Sequence, residues 1–320
     1  MTTATARAGI NIALIKYWGK RDAAQNLPAV GSISLTLDDL VTKTTVTFDP
    51  ALEADRFVLD GATRDDRRVV AVLDAIRAIA GLDQRAHVRS RNGVPTASGL
   101  ASSASGVAAL ATAAWAAAGL DPAAAVDDDR FIDLVRVGSG SAPRSLLGGL
   151  VELDRERGRV QQLLAPDAWD LHMLVARLTR APKETSSRDG MTHTRDTSPY
   201  YTAWVEHHPA DLADARAAIT ARDLPRLGAA MERSTARMHA CMLAADPPLR
   251  YWRGKTLDVA DAIEDLRRQG IGAWYTMDAG PHVKVLCASS DAAAVRETLE
   301  ALIEPRDVLD ARPGPGATLC

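Results

Sequence analysis

The chain has 320 residues, of which 47% are hydrophobic and 25% charged, and its formal net charge is −3. This length predicts a globular protein of two lobes, and the acidic balance argues against a nucleic-acid-binding surface or a basic membrane patch. Because the sequence has no apolar run long enough to span a bilayer, no signal peptide and only three scattered cysteines, we expect a cytoplasmic protein without a disulfide framework or a zinc site.

The first half of the chain carries both strand and helix patterns. Alternating or β-branched residues predict strands over 8–18, 31–48, 86–91, 146–154 and 159–163, the last two as a hairpin. Helical spacing predicts helices over 65–80, 101–119 and 129–136. Gly81 is a natural end for the first of these helices.

The second half has a different order of elements. Strands are predicted over 170–179, 272–277, 282–287 and near 307–312. Helices are predicted over 199–246, 255–269 and 291–303, the first of them broken at Pro209 and near Pro225. The succession strand, helices, two strands, helix, strand is the split βαβ pattern of a ferredoxin-like lobe. We therefore expect an α+β protein with lobes over 1–165 and 166–320.

A Gly/Ser-rich segment, PTASGLASSASG at 95–106, runs directly into an alanine-rich helix. Small residues let the backbone approach a ligand, and the first N–H groups of the helix lack intrahelical partners at the positive end of its dipole. This combination suits an anion and, for so long a segment, the phosphate chain of a nucleotide. Neither a Walker loop nor a GxGxxG pattern is present. The alternative is a buried small-residue helix with a serine-rich cap.

Two further segments place basic residues among apolar or small ones. Lys16 lies in the apolar run of NIALIKYWGKRD (11–22), where a lysine is costly unless it is paired. The alternative is a strand end with snorkelling lysines. In GSGSAPRS (138–145) the hydroxyls, the free N–H groups and the Arg144 guanidinium suit a carboxylate or a phosphate. A Gly/Ser linker is the alternative there, although a linker does not require Arg144.

Two more segments carry weaker signals. The polar, doubly basic KETSSRDGM (183–191) is also typical of exposed loops. Asp278 lies in a tight turn between two apolar strands, where an aspartate usually serves the turn through bonds to the backbone. The seven histidines show no metal-binding spacing and are expected at the surface. The lack of a Gly-x-Ser-x-Gly elbow argues against a hydrolase.

Together these segments resemble the diphosphomevalonate decarboxylase family of the GHMP kinase superfamily. The motifs NIALIKYWGKRD, PTASGLASSASG, GSGSAPRS followed by GG, KETSSRDGM and YTMDAGPHV occur in the family's order between about residues 8 and 288. The resemblance implies a two-lobed fold, with an N-terminal lobe like domain 2 of ribosomal protein S5 and a C-terminal ferredoxin-like lobe. It also implies a homodimer.

The resemblance further implies an activity. Enzymes of this family bind mevalonate 5-diphosphate and transfer the γ-phosphoryl group of Mg-ATP to its tertiary 3-hydroxyl. They then release phosphate and CO2 to give isopentenyl diphosphate for isoprenoid biosynthesis. The implied catalytic residues are Asp278 beside the 3-hydroxyl as orienter or base, Arg144 on the substrate carboxylate with Lys16 nearby, and Lys183 on the transferred group.

Two larger sets of residues are implied as binding positions. Those for the substrate, several of them at its diphosphate, are Tyr17, Trp18, Gly19, Lys20, Arg68, Ser139, Gly140, Ser141, Ala142, Pro143, Arg144, Ser187 and Arg188. Those for the nucleotide are Pro95, Ser98, Gly99, Leu100, Ala101, Ser102, Ser103 and Ser105, with Ser102 also at the Mg²⁺ ion.

Three positions depart from the family pattern. Pro143 stands where the family commonly has cysteine, Val30-Gly31 replaces an Asn-Ser, and Ser98 replaces an alanine. Val30-Gly31 removes polarity from a place expected near substrate or nucleotide. Mevalonate or its 5-phosphate therefore remains an alternative substrate, phosphorylated at the 3-position with or without decarboxylation. A non-catalytic ligand-binding relative is the alternative of another class, which the retained site charges disfavour.

Overall fold

The computed structural model describes residues 2–93, 102–181 and 184–320, and it has the expected α+β character. The strands are β1 (Thr2–Ile15), β2 (Lys20–Asp22), β3 (Leu27–Pro28), β4 (Ser32–Asp49), β5 (Arg56–Leu59), β6 (Ala62–Thr63), β7 (Arg85–Asn92), β8 (Leu150–Leu153), β9 (Val160–Leu164), β10 (His172–Ala176), β11 (Ala273–Met277), β12 (Val283–Cys287), β13 (Val308–Ala311) and β14 (Thr318–Leu319). The helices are α1 (Arg67–Ala80), α2 (Ser102–Ala117), α3 (Asp129–Gly138), α4 (Ser187–Thr197), α5 (Tyr201–Ala221), α6 (Leu224–Leu243), α7 (Gly254–Arg268) and α8 (Ala292–Leu302).

The N-terminal sheet is eight-stranded, with the order β14-β1-β4-β7-β5-β6 and with β8 and β9 joined to β4. β1 and β4 pair antiparallel along nearly their whole length. Alternate residues of β1, β4 and β7, such as Ala6, Val46 and Val88, face a core that is shared with α1, α2 and α3. The buried face of α2 is mostly alanine, which lets the helix lie close to the sheet.

The C-terminal sheet is four-stranded and antiparallel, with the order β11-β12-β10-β13. Along the chain, helices α4 to α7 lie between β10 and β11, and α8 lies between β12 and β13, as the ferredoxin-like prediction requires. Leu174 and Val285 face α7 and α8, whereas Val175 and Leu286 face α5, α6 and the N-terminal sheet. The C-terminal sheet is therefore covered on both faces, and the prediction of a ferredoxin-like lobe is confirmed.

β1 contributes to two cores. Ala6 and Ala8 in its first half belong to the core under α2, whereas Ile10, Ile12 and Leu14 in its second half belong to the core shared with the C-terminal sheet. The strand ends at Ile15, where the two sheets approach each other. Lys16, the residue that follows β1, therefore lies where the two sheets meet.

The last residues of the chain return to the N-terminal sheet. The Gly314 N–H donates to the carbonyl of Thr36 at 2.8 Å. In β14, Thr318 pairs with Arg7 of β1. No helix within the described ranges is long and apolar enough to cross a bilayer.

Most predicted elements match the structure in type and in approximate position. α1 is followed directly by Gly81, which has the left-handed conformation expected of a helix-ending glycine (φ 66°). β8 and β9 form the predicted hairpin. The predicted break at Pro209 is wrong, because α5 continues through the proline and buries Leu212 and Ile219 beyond it. Packing of that face maintains the helix despite the missing N–H group.

Two other expectations also need correction. The segment KETSSRDGM is more than an exposed loop, since α4 begins within it and is capped by Ser186, whose hydroxyl accepts from the N–H of Asp189. The expectation that the histidines lie at the surface is wrong for four of them, which are buried: His172, His208, His239 and His282. A histidine can be buried in its neutral form when its ring meets hydrogen-bond partners or aromatic neighbours, which spacing in sequence does not reveal.

Gly228 offers a test of the packing between α6 and the C-terminal sheet. A Cβ at Gly228 would lie 2.1 Å from the Trp274 ring in β11, whereas one at Gly254 would meet nothing within 4 Å. We expect Gly228→Ala to lower the free energy of unfolding by about 1–3 kcal/mol through overpacking. Gly254→Ala should change it by less than about 0.5 kcal/mol. Urea denaturation checks both values, and equal stability of the two variants would contradict this packing.

Candidate active site

A cleft of about 700 Å³ is formed by the end of β1, the start of α2, the loop after α3, the start of α4 and the turn after β11. It is lined by these residues that the sequence singled out: Lys16, Tyr17, Trp18, Lys20, Arg68, Ser103, Ser139, Gly140, Ser141, Arg144, Ser187, Arg188 and Asp278. All five sequence motifs therefore contribute to one cleft, although they are spread over most of the chain.

Asp278 accepts hydrogen bonds from two buried lysines. Nζ of Lys16 lies 2.7 Å from Oδ1 of Asp278, and Nζ of Lys284 lies 2.8 Å from Oδ2. The lysine side chains are 1% and 2% exposed, whereas the Asp278 side chain is 28% exposed and lines the cleft. The cleft thus contains a carboxylate, and each of its two oxygens accepts a hydrogen bond from a different ammonium group.

The backbone around Lys16 is fixed by α5 and α6. The Lys16 N–H donates to Oγ of Ser234 at 3.0 Å, and the ring of His208 donates to the Lys16 carbonyl at 2.9 Å. Nζ of Lys16 also donates to the carbonyl of Ala13 at 2.9 Å. Lys16 is therefore a paired, buried lysine and not a snorkelling one at a strand end.

Asp278 follows β11 in a turn closed by the backbone. The Gly280 N–H donates to the Asp278 carbonyl at 2.7 Å. Both carboxylate oxygens of Asp278 accept from lysines in the described part of the chain. The side chain is thus directed to the charged cluster, and the interpretation of Asp278 as a residue that only serves its turn does not fit.

Burial governs the electrostatics of this cluster. It lowers the pKa of Lys16 to about 8, although the nearby Asp278 charge opposes the shift. Burial alone would raise the pKa of Asp278, but the charges of Lys16 and Lys284 outweigh it and hold that pKa well below its usual range. Burial also lowers the pKa of Arg144 to about 10, so its guanidinium stays charged at neutral pH. Three cations accompany one carboxylate, which favours binding of an anion.

Arg144 has no carboxylate within salt-bridge distance among the described residues. Its Nε and Nη2 donate to Oδ1 of Asn11 at 3.2 and 3.0 Å, and its Nη1 donates to Oγ of Ser32. Oγ1 of Thr36 donates to the Arg144 carbonyl at 3.2 Å. Neutral groups therefore orient the guanidinium, and its charge is available to an anion in the cleft.

Lys20 and Arg188 form a second cationic group, where the cleft joins a smaller cavity of about 320 Å³. Burial and the neighbouring Arg188 lower the pKa of Lys20. The hydroxyl of Tyr17 and Nε1 of Trp18 are buried and have no hydrogen-bond partner among the described residues. Buried donors without partners beside a cleft are positions where a polar ligand can bind.

Arg68 lines the cleft as part of an ion pair. Its Nε and Nη2 donate to the two carboxylate oxygens of Asp66 at 2.9 and 2.5 Å. Asp66 also caps α1 by accepting from the Arg68 N–H. An anionic ligand at the Arg68 guanidinium would therefore compete with the Asp66 carboxylate.

Four residues that the resemblance implied do not line the cleft. Gly19 is a turn residue with a φ of 93°, and a Cβ there would lie 1.8 Å from the Tyr201 hydroxyl. Ala142 and Pro143 are buried in the 3₁₀ turn that carries Arg144. Ser105 is buried within α2, and its hydroxyl lies 2.8 Å from that of Thr42 in β4. All four residues are buried, and their expected ligand contacts stay predictions.

Part of the expected nucleotide site lies outside the described residues. This applies to Pro95, Ser98, Gly99, Leu100, Ala101 and Lys183, and to the side chain of Ser102. The helix predicted after the Gly/Ser segment is confirmed as α2, which begins at Ser102. Ser103 is exposed in its first turn and lines the cleft.

Sequence reasoning gave no role to three residues that hold the charged groups. Lys284 lies in the apolar run VKVLC, so the signal that singled out Lys16 was present here as well. Asn11 and Ser32 are polar residues in otherwise apolar buried strands. Such residues need hydrogen-bond partners, which is a signal that could have identified them.

The departure at Val30-Gly31 lies behind residues that line the cleft. Val30 is buried in an apolar cluster with Trp18 and Met238. A Cβ at Gly31 would lie 2.9 Å from the side chain of Leu212. The expectation that this pair faces substrate or nucleotide is therefore corrected, since neither residue lines the cleft among the described residues.

Comparison with known proteins gives consistent matches over most of the chain. The family models "Diphosphomevalonate decarboxylase-like N-terminal domain" and "Mevalonate 5-diphosphate decarboxylase C-terminal domain" match residues 8–162 and 173–314. The diphosphomevalonate decarboxylase of Ganoderma lucidum is 35% identical over 94% of this chain and 81% of its own length. The crystal structure of mevalonate diphosphate decarboxylase from Staphylococcus aureus has a TM-score of 0.92 at 37% identity and covers 100% of this chain and 98% of that one.

A second similar structure carries ligands. It is MDDEF in complex with MVAPP, AMPPCP and magnesium, with a TM-score of 0.92 at 39% identity, covering 100% of this chain and 99% of that one. Family models, relatives and solved structures agree with the motifs that converge on the cleft. The chain therefore belongs to the diphosphomevalonate decarboxylase family.

Proposed function

We propose that this protein catalyses the ATP-dependent decarboxylation of mevalonate 5-diphosphate to isopentenyl diphosphate. The observation that carries the proposal is the buried cluster in which Lys16 and Lys284 hold Asp278 and Arg144 keeps its charge for a ligand. The proposed substrate has a carboxylate, a tertiary hydroxyl and a diphosphate, and the cleft offers a complementary group to each. The ligands of the similar MDDEF structure support the same assignment.

The proposed reaction has two steps. In the first, the oxygen of the 3-hydroxyl attacks the γ-phosphorus of ATP, the bond to ADP breaks, and the hydroxyl proton is lost. In the second, the C1–C2 bond breaks and its electron pair forms the C2=C3 double bond, while the C3–O bond to phosphate breaks. CO2 and phosphate leave. Phosphoryl transfer depends mainly on positioning and charge neutralisation, which fixed charged groups supply.

Asp278 acts on the 3-hydroxyl in this proposal. A tertiary alcohol is a crowded nucleophile, so a fixed carboxylate that accepts its hydrogen bond accelerates the reaction by orientation. Lys16 holds one oxygen of that carboxylate and lines the cleft itself. It therefore also offsets negative charge on the reacting groups.

Arg144 binds the carboxylate of the substrate. Its planar guanidinium can donate two parallel hydrogen bonds to a carboxylate. Asn11 and Ser32 fix the orientation of the guanidinium before the substrate arrives, which reduces the cost of ordering it on binding. The carboxylate is lost as CO2, so this interaction is absent from the product complex.

The diphosphate is assigned to the second cationic group. Lys20 and Arg188 supply its charges, and the buried Tyr17 hydroxyl supplies a donor that lacks a partner among the described residues. Ser139 and Ser141 line the same cleft and add hydroxyls. Arg68 and Ser187 line it as well; Arg68 is retained as a proposed diphosphate contact and Ser187 as a proposed substrate contact.

ATP is assigned to the start of α2, where Ser103 lines the cleft and the first N–H groups of the helix suit phosphates. Pro95, Ser98, Gly99, Leu100, Ala101 and Ser102 keep their proposed roles at the nucleotide. Lys183 keeps its proposed role of offsetting charge on the transferred phosphoryl group. The donor set fits Mg²⁺ bound mainly through phosphate oxygens, since no group of three metal-binding side chains occurs in the described ranges. When bound, Mg²⁺ would neutralise charge on the phosphates that react.

We also propose a homodimer that works in the cytoplasm. The family resemblance supports the dimer. Cys241, Cys287 and Cys320 are all free thiols, which is usual for a protein of a reducing compartment.

A coupled assay that follows ADP and CO2 from mevalonate, its 5-phosphate and its 5-diphosphate tests the proposed function. We expect equal amounts of ADP and CO2 and a preference for the diphosphate of at least about tenfold in kcat/KM, because charge-assisted contacts to the second phosphate are lost with the shorter substrates. Release of ADP without CO2 would indicate a 3-kinase. Release of neither product from any of the three would contradict an enzymatic function.

Arg188→Ala tests the assignment of the diphosphate. Without this cation the contact that distinguishes two phosphates from one is lost, so the preference for the diphosphate should fall to within about threefold. The same kcat/KM comparison measures it, and the 5-phosphate serves as the internal control. An unchanged preference would mean that the diphosphate binds elsewhere.

Arg144→Lys tests the assignment of the carboxylate. An ammonium group cannot reproduce two parallel hydrogen bonds, so kcat/KM should fall about 10²-fold or more. Arg130→Lys, at an exposed arginine of α3, is the matched control and should leave kcat/KM unchanged. A substrate analogue without the carboxylate should bind wild type and Arg144→Lys equally. Weakened ATP binding alone would instead place Arg144 at the nucleotide.

A further inference from the structure

Lys284 differs from Lys16, Arg144 and Asp278 in that it does not line the cleft. It lies in β12 opposite Thr276, and its side chain is 2% exposed. Alternate residues of this strand face opposite cores, so Lys284 is on the side of α6 and β1. A lysine buried there is costly unless it is paired, and Asp278 is its carboxylate partner in the described structure.

The two lysines hold Asp278 as a clamp. Lys16 reaches Oδ1 from the end of β1, and Lys284 reaches Oδ2 from β12. Rotation of the carboxylate about its bond to Cβ would break both hydrogen bonds. The plane of the carboxylate is therefore fixed by groups from two different sheets, while its remaining lone pairs can accept a hydrogen bond from the cleft.

The groups around the clamp add positive charge. Within the described ranges, no second carboxylate is among them. Lys16 and Lys284 contact Asp278 directly, and Arg144 acts on it from the neighbouring turn. His239 of α6 also interacts electrostatically with Lys16, Asp278 and Lys284, and burial together with the Lys16 charge lowers its pKa to about 3. His239 is thus neutral near pH 7, so the surroundings of Asp278 favour its ionised form.

We propose that Lys284 is a positioning residue, which fixes the Asp278 carboxylate and keeps it ionised so that Asp278 orients the reacting hydroxyl without removing its proton. A carboxylate with two ammonium partners is a weak proton acceptor. The hydroxyl proton passes instead to an oxygen of the transferred phosphoryl group, as the new O–P bond forms and the bond to ADP breaks. The inference rests on the proposed function for the identity of that hydroxyl.

Lys284→Met tests this role, since it keeps an unbranched side chain that is one atom shorter and removes the charge. We expect kcat to fall about tenfold or more, with both KM values within about threefold of wild type. In the pH profile of kcat, the acid limb should shift to higher pH by about one to three units, because Asp278 loses one of the charges that keep it ionised. Tm should not fall, since the substitution removes a buried charge from a cluster with excess cations.

Three variants serve as controls. In an Asp278→Asn background, Lys284→Met should cause no further loss of kcat, because Lys284 acts through that carboxylate. Lys255→Met, at an exposed lysine of α7, should leave kcat and its pH profile unchanged. If Lys284→Met does not fold, Lys284→Gln carries the same test with a polar, uncharged side chain.

The positioning role would be overturned by an acid limb that does not move, or by a further loss of kcat in the Asp278→Asn background. A titration of the Asp278 carboxyl carbon by ¹³C NMR needs no turnover, and its midpoint should rise in Lys284→Met relative to wild type. An unchanged midpoint also contradicts the proposal. Absence of ADP and CO2 release by the wild type would contradict the proposed function and leave this NMR result interpretable.

Discussion

An excess of buried positive charge is the constraint on which the site depends. Lys16, Lys284 and Arg144 are all nearly inaccessible to solvent, and Asp278 is the carboxylate among them. Burying cations costs free energy that one carboxylate offsets only in part. A ligand that brings further negative charge therefore gains more binding free energy here than it would at the surface. A substrate with a carboxylate and phosphates has the charges that such a cluster lacks.

The fold keeps this cluster together by joining two sheets at one point. β1 extends out of the core under α2 and ends against the C-terminal sheet, which places Lys16 beside the turn after β11. Lys284 comes from the next strand of that sheet. The carboxylate of Asp278 thus links the two halves of the protein as well as serving the cleft. Breaking this link by removing the carboxylate would leave two buried lysines without a negatively charged partner.

The sequence predicted most elements and all five motifs of the cleft, because alternation, helical spacing and glycine turns are local signals. It did not predict that α5 continues through Pro209, since packing of Leu212 and Ile219 outweighs the local effect of the proline. It gave no role to Lys284, whose partner Asp278 is identified only once β11 and β12 pair. The buried histidines were missed for a similar reason, because burial follows from tertiary packing and not from spacing.

Isothermal titration calorimetry in buffers of different ionisation enthalpy tests most directly whether the excess of buried cations binds the substrate. Burial lowers the pKa of Lys16 to about 8, and an anionic ligand beside it should raise that pKa. Mevalonate 5-diphosphate binding near that pH should therefore take up protons, with little uptake at about two pH units lower, where Lys16 is already charged. Lys16→Arg should abolish the uptake, since a guanidinium does not titrate there. Binding at the higher pH without proton uptake, or with proton release, would contradict a site built on buried cations.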